Sequence, residues 1–179
     1  AIDAVNCIKV IKSRPLESFF TGEVSSMKMR LEGYNTDCYG FELSLKPLLR
    51  KHHTKALVLG SGGSSRAVTY VLGKLGIDYK IVSRKRSRRQ ILYSDISAEL
   101  LAEYTLIVNT TPVGMSPAVD SFPDIPYENL TDKHLLYDLV YNPADTMFLK
   151  KGREQGAMTK NGEEMLRLQA ERSWEIWNS

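Results

Sequence analysis

Ala56-Leu57-Val58-Leu59-Gly60-Ser61-Gly62-Gly63-Ser64-Ser65 is the stretch that decides the fold. Four apolar residues without alternation are the pattern of a strand buried on both faces of a parallel sheet. Beyond the glycines, Ala67, Val68, Val71, Leu72 and Leu75 recur at helical spacing, and Gly76 is a stop signal. Gly60 allows a tight turn, and Gly62 lets the backbone approach a pyrophosphate with no Cβ in the way. The helix N-terminus then offers unpaired N–H groups to negative charge. Ser65 stands where the third glycine of a dinucleotide fingerprint would be, and is small enough for close helix–strand packing. A glycine turn also joins strands to helices with no ligand at all; the sheet pattern around this one tips the reading to a dinucleotide.

Downstream, strands are predicted over 79–82, 91–96, 105–109 and 135–140, with helices around Leu100, around Phe148 and over 163–177. Upstream, 5–11 and 28–31 read as a hairpin around the loop 14–26. Thr36 or Asp37 is placed to cap a helix through Phe41 and Leu45, which Pro47 kinks or restarts. Strands alternating with helices predict an α/β, Rossmann-like parallel sheet with helices on both faces, preceded by an N-terminal β-hairpin.

The 179 residues suffice for one full domain. No apolar run approaches the roughly 20 residues of a membrane span, and residues 1–10 lack the organisation of a signal peptide. Cys7 and Cys38 form no CxxC pair and read as free thiols; His52, His53 and His134 read as surface or linker residues, with no metal site. A net charge of +3 is too small to argue for nucleic acid. The expected setting is cytoplasmic, away from membranes, with homodimerisation left open.

The second strand of the sheet ends in Ser83-Arg84-Lys85-Arg86, with Arg88 and Arg89 close behind. NAD sites place a carboxylate here, about 20 residues past the glycines, to hold the ribose 2′-hydroxyl. A guanidinium instead binds a 2′-phosphate bidentately and stacks on adenine. The basic end therefore predicts NADP. A solvated basic loop is the bland rival; a nucleic-acid patch lacks aromatic interleaving.

AVNCI (4–8), GYNTDCYGF (33–41), LGSGGSSRA (59–67), NTTPVGM (109–115), DLVYNP (138–143) and NGEEMLRLQA (161–170) together resemble the shikimate dehydrogenases, over essentially the whole chain. The resemblance implies NADP-dependent reduction of 3-dehydroshikimate to shikimate, in aromatic amino acid biosynthesis. It gives Asn6, Asp37, Tyr141 and Gln169 to the substrate, with Asp37 as one half of a catalytic Lys–Asp pair. It gives Gly60, Ser61, Gly62, Gly63, Ser64 and Ser65 to the pyrophosphate, and Ser83, Arg84 and Lys85 to the 2′-phosphate and adenine. Asn109, Thr110, Thr111 and Val113 would line the cofactor's path, with Leu139, Gly162 and Met165 around the nicotinamide. On this reading residues 1–33 are a hairpin at the edge of an absent substrate domain. Residues 34–179 are the NADP-binding domain, with a linker helix (34–51) and a closing helix (163–177).

Departures from the family pattern are Cys7 for the usual Thr, Asp3 for a Gly, and a basic loop that leads almost directly into the third strand. The family's N-terminal domain and its Lys have no counterpart, so a truncated product, inactive alone, is expected. Two other functions stay open: a non-catalytic NADP-binding module, and a quinate/shikimate dehydrogenase. The bland roles are also plain. Asp37 would serve as a helix cap, Asn6 as a turn former and Gln169 as a solvated helix residue, with Trp174 and Trp177 in the core or at a docking face.

Overall fold

The computed structural model describes residues 4–13, 28–85, 87 and 90–179; the predicted loop 14–26 and Asp3, Arg86, Arg88 and Arg89 lie outside the described residues. A hairpin of β1 (Cys7–Ser13) and β2 (Lys28–Tyr34) comes first, followed by α1 (Thr36–Leu45). Then come β3 (Lys55–Leu59), α2 (Gly63–Lys74), β4 (Asp78–Ser83), β5 (Gln90–Leu92), α3 (Ala98–Glu103) and β6 (Leu106–Asn109). The chain closes with β7 (Leu135–Asp138), α4 (Met147–Glu154), β8 (Met158–Lys160) and α5 (Glu163–Asn178).

Six strands form one parallel sheet in the order β5-β4-β3-β6-β7-β8. The chain starts at β3 in the middle, works outward through β4 and β5, then jumps back to β6 and outward the other way. The first crossovers therefore diverge between β3 and β6, and a crevice opens there at the carboxyl ends of the strands. β3 explains its own unbroken apolarity. Ala56 and Val58 face a core layer with Phe41, Val68, Val71 and Tyr137, whereas Leu57 and Leu59 face another with Leu101, Ile107 and Phe148. Each fully buried Leu or Val side chain contributes about 1.5–3 kcal/mol, so Leu57→Ala would cost about 2–5 kcal/mol.

The ends of the elements carry the corrections. Asn35, not Thr36 or Asp37, caps α1: its side chain accepts from Cys38 N at 3.1 Å and donates to Ala4 O at 3.0 Å. Pro47 restarts the chain as a 3-10 turn, Lys46–Leu48. The predicted strand 91–96 stops at Leu92, because the Asp95 carboxylate accepts from Leu92 N at 2.9 Å and bends Tyr93–Asp95 into a 3-10 turn. β8 was not anticipated.

His53 and His134 are buried, at 4% and 3% exposure, rather than on the surface. Each accepts a backbone N–H three residues back on Nδ1, from Arg50 and Thr131, and each meets a carbonyl through Nε2, at Lys133 and Leu101. Immediately ahead of β3 and β7, they tie down the amino-terminal edge of the sheet. Trp174 and Trp177 are 67% and 56% exposed, because α5 turns Met165, Ser173 and Ile176 inward; Trp177 docks only its indole N–H, on Ile8 O at 3.2 Å.

Candidate functional site

Two cavities open along the carboxyl edge of the sheet. The larger, about 670 Å³, is lined by Gly60, Ser61, Gly62, Ser83, Arg84, Tyr93, Thr110, Thr111, Pro112, Val113, Phe122, Pro123 and Asp124. The smaller, about 190 Å³, is lined by Asp37, Ser64, Leu139, Tyr141, Gly162, Met165, Leu166 and Gln169. The glycine turn joins them: Gly62 lines one and Ser64, two residues on, lines the other.

Gly60 has φ +104, and a Cβ there would stand 2.8 Å from Thr110 Oγ1 and 2.9 Å from Thr111 Cγ2. Only glycine fits this backbone and this close approach. A Cβ on Gly62 or Gly63, by contrast, would meet nothing within 4 Å, so the space above the turn is open. Gly62 caps α2 with no side-chain hydrogen bond, which leaves the first-turn N–H groups for a ligand. Ser65 is buried, and its hydroxyl donates to Gly62 O at 2.6 Å; it shapes the turn and does not line either cavity. Gly63, which opens α2, also lies off both linings.

At the far end of the larger cavity Arg84 is exposed and makes no hydrogen bond or ion pair among the described residues. Ser83 lines the cavity, but its hydroxyl is held by Gln90 Oε1 at 2.8 Å and by the Lys85 carbonyl. Lys85 is exposed and outside the lining.

Asn109 is fully buried and acts as a bracket. Its amide donates to Asp138 Oδ1 at 2.9 Å, while its Oδ1 accepts from Thr111 N at 3.0 Å and Thr111 Oγ1 at 2.6 Å. Thr110 seals β6 to β3 through Leu59 O, with its N at 2.9 Å and Oγ1 at 2.7 Å. Asp138 also accepts from Val140 N at 3.1 Å and Thr146 Oγ1 at 2.6 Å, yet burial outweighs these bonds and pushes its carboxyl up to about 6. Neither Asp138 nor Tyr93 was among the predicted site residues.

The smaller cavity depends on a close helix crossing. A Cβ on Gly40 would lie 2.5 Å from Met165 O, so α1 and α5 meet backbone to backbone and bring Asp37 beside Gln169. Gly162 is pressed in the same way against Leu139, whose O would be 2.1 Å from an added Cβ. Asn6 does not line the cavity, but organises it from β1's side. It donates to Asp37 Oδ1 at 2.8 Å and accepts from Thr36 N at 2.7 Å. The Thr36 hydroxyl lies 3.2 Å from Gln169 Oε1 and 3.0 Å from Ser173 Oγ. Burial raises the Asp37 pKa above the usual carboxylate value, and the Asn6 bond opposes it. No cation pairs with Asp37 among the described residues, and none of their His, Cys, Asp and Glu side chains form a group of three that could hold a metal.

No family model matches the chain. Named relatives do. A shikimate dehydrogenase (NADP(+)) of Carboxydothermus hydrogenoformans is 40% identical over 83% of this chain and 58% of its own length. Another, from Methanococcus maripaludis, is 34% identical over 97% of this chain and 68% of its own length. Among solved structures, a chorismate mutase/shikimate 5-dehydrogenase fusion protein from Clostridium acetobutylicum superposes with a TM-score of 0.72 at 33% identity, over 99% of this chain and 60% of that one. The chain spans 62% and 63% of the length of two further curated relatives. It belongs to the shikimate dehydrogenase family.

Proposed function

We propose that this chain is the NADP-binding portion of a shikimate dehydrogenase, which in the whole protein reduces 3-dehydroshikimate. One observation carries the reading: a track of two cavities, flanking the open glycine turn, runs from Arg84, whose guanidinium has no partner among the described residues, to the pocket of Asp37 and Gln169. Its ends differ as the two ends of the reaction require. One is cationic and roomy; the other is small, with Leu139, Gly162 and Met165 beside polar side chains.

When bound, NADPH supplies the hydride. Arg84 grips the 2′-phosphate, with Ser83 and Lys85 shaping the loop around it, and the first-turn N–H groups of α2 take the diphosphate. Thr110, Thr111 and Val113, braced by Asn109, line the path. Gln169 and Tyr141 hold the hydroxyls of the substrate, and Asn6 fixes Asp37 beside them. Asp37 has one oxygen committed to Asn6, and its other carboxylate oxygen has no partner among the described residues. That oxygen holds the ammonium of the Lys in the Lys–Asp pair, which passes the proton to the forming alkoxide. The hairpin, with Ile8, Val10, Met29 and Leu31 exposed, belongs with the substrate domain. The same reading places the protein in the cytoplasm.

The 179-residue chain is expected to bind NADPH and to show no turnover with 3-dehydroshikimate, whereas the whole protein turns over. Robust activity from the chain alone would overturn the role given to the Lys.

A further inference from the structure

Parallel pairing sets a second residue beside Arg84. Ser83 pairs with Leu92 across β4 and β5, so the next residues of the two strands, Arg84 and Tyr93, emerge level at the same edge. Both line the larger cavity. Tyr93 begins the 3-10 turn, which is closed by Leu92 N on Asp95 Oδ2 at 2.9 Å and Ile96 N on Tyr93 O at 3.1 Å. Its ring is half-buried, and its hydroxyl makes no hydrogen bond among the described residues. The Arg84 charge is near enough to pull the phenol pKa down, against a larger upward push from burial.

The other polar groups of this corner are unsuited to an anion. The Ser83 hydroxyl is already committed to the loop. Asp124, on the lining, is a carboxylate and would repel a phosphate. Among the described residues of the lining, Arg84 and Tyr93 are the two donors at this corner without a hydrogen bond.

We propose that Tyr93 is a specificity residue for the cofactor: its hydroxyl donates to the phosphate on the ribose 2′ oxygen, beside the Arg84 guanidinium. This rests on the NADP reading above and adds to it a neutral donor. Arg84 supplies charge and is free to stack or fork, whereas Tyr93 stands on a fixed turn and sets where the phosphate lies. An NAD ribose carries only its 2′-hydroxyl and no phosphate for the Tyr93 hydroxyl to meet, so the hydroxyl discriminates.

Titration of the chain with NADP and with NAD, by calorimetry, tests this in the wild type, Tyr93→Phe and Arg84→Ala. A hydrogen bond to a charged group at a half-buried site makes Tyr93→Phe about tenfold weaker for NADP and within about twofold for NAD. If Tyr93→Phe leaves NADP binding unchanged, or weakens both cofactors alike, while Arg84→Ala still costs NADP selectively, the role of Tyr93 is overturned and the cofactor reading stands. A wild-type chain with no preference for NADP removes both.

Discussion

The two edges of the parallel sheet are built on opposite rules. At the amino edge the three histidines are closed upon the backbone: His53 and His134 each join a turn N–H to a carbonyl, and His52 adds a third link at 2.9 Å to Lys133 O. At the carboxyl edge several polar groups, donors and an acceptor, are left open. Among the described residues, the first turn of α2 has no side-chain cap, Arg84 has no partner, and one oxygen of Asp37 is uncommitted. A saturated edge stabilises, and an unsaturated one binds. Substitutions at the two edges should therefore separate binding from stability.

The largest effect is expected at the open edge. Asp37→Asn in the whole protein should lower kcat about 100- to 10,000-fold, as loss of acid–base catalysis does, while calorimetry on the chain shows NADP affinity unchanged. Gly60→Val comes next. It puts a branched side chain into a left-handed backbone against Thr110 and Thr111, and should weaken NADP about 100-fold, read in the same titration.

At the closed edge, His134→Ala leaves Thr131 N and Leu101 O without their partner. It should cost about 2–4 kcal/mol in urea unfolding and leave cofactor affinity intact. A loss of NADP binding in the refolded His134→Ala chain would blur the contrast between the edges.

Acid should divide the edges most finely. Burial lowers the folded-state pKa of His53 and His134 below 6.5, so their contribution is complete above 6.5 and is lost as pH falls. Asp138 has the reverse sign. Its folded-state pKa is raised from 3.8 to about 6, so its contribution is present in acid and is lost as pH rises through about 6. Urea midpoints between pH 7 and 5 should flatten in His134→Asn and steepen in Asp138→Asn, each by at most about 1.4 kcal/mol per pH unit.

Much of the fold was legible because its signals are local. The run Ala56-Leu57-Val58-Leu59, the helical recurrence from Ala67 to Leu72 and the stop at Gly76 each state one element. What escaped depends on side chains acting on distant or neighbouring backbone. Asn35, Thr36 and Asp37 are all capping residues, and only the structure shows that Asn35 caps, which frees Asp37 for the cavity. α1 packs against both α2 and α5, so it carries no single apolar stripe. Tyr93 falls inside the predicted strand 91–96, and only the turn that Asp95 closes takes it out of the strand. The histidines were misjudged because their hydrogen bonds go to carbonyls of Lys133 and Leu101, far along the chain. A site signal for Asp138 lay in DLVYNP, but its bracket with Asn109 and Thr146 needs the ends of β6 and β7 and the cap of α4 at once.

The central claim, that the open edge takes a 2′-phosphorylated dinucleotide, is tested most directly by the ratio of Kd for NAD to Kd for NADP in the wild-type chain and in Arg84→Ala. A ratio above about ten that collapses toward one in the variant, through loss of NADP affinity alone, is the predicted result. Equal affinities in the wild type, or equal losses for both cofactors in the variant, would contradict it.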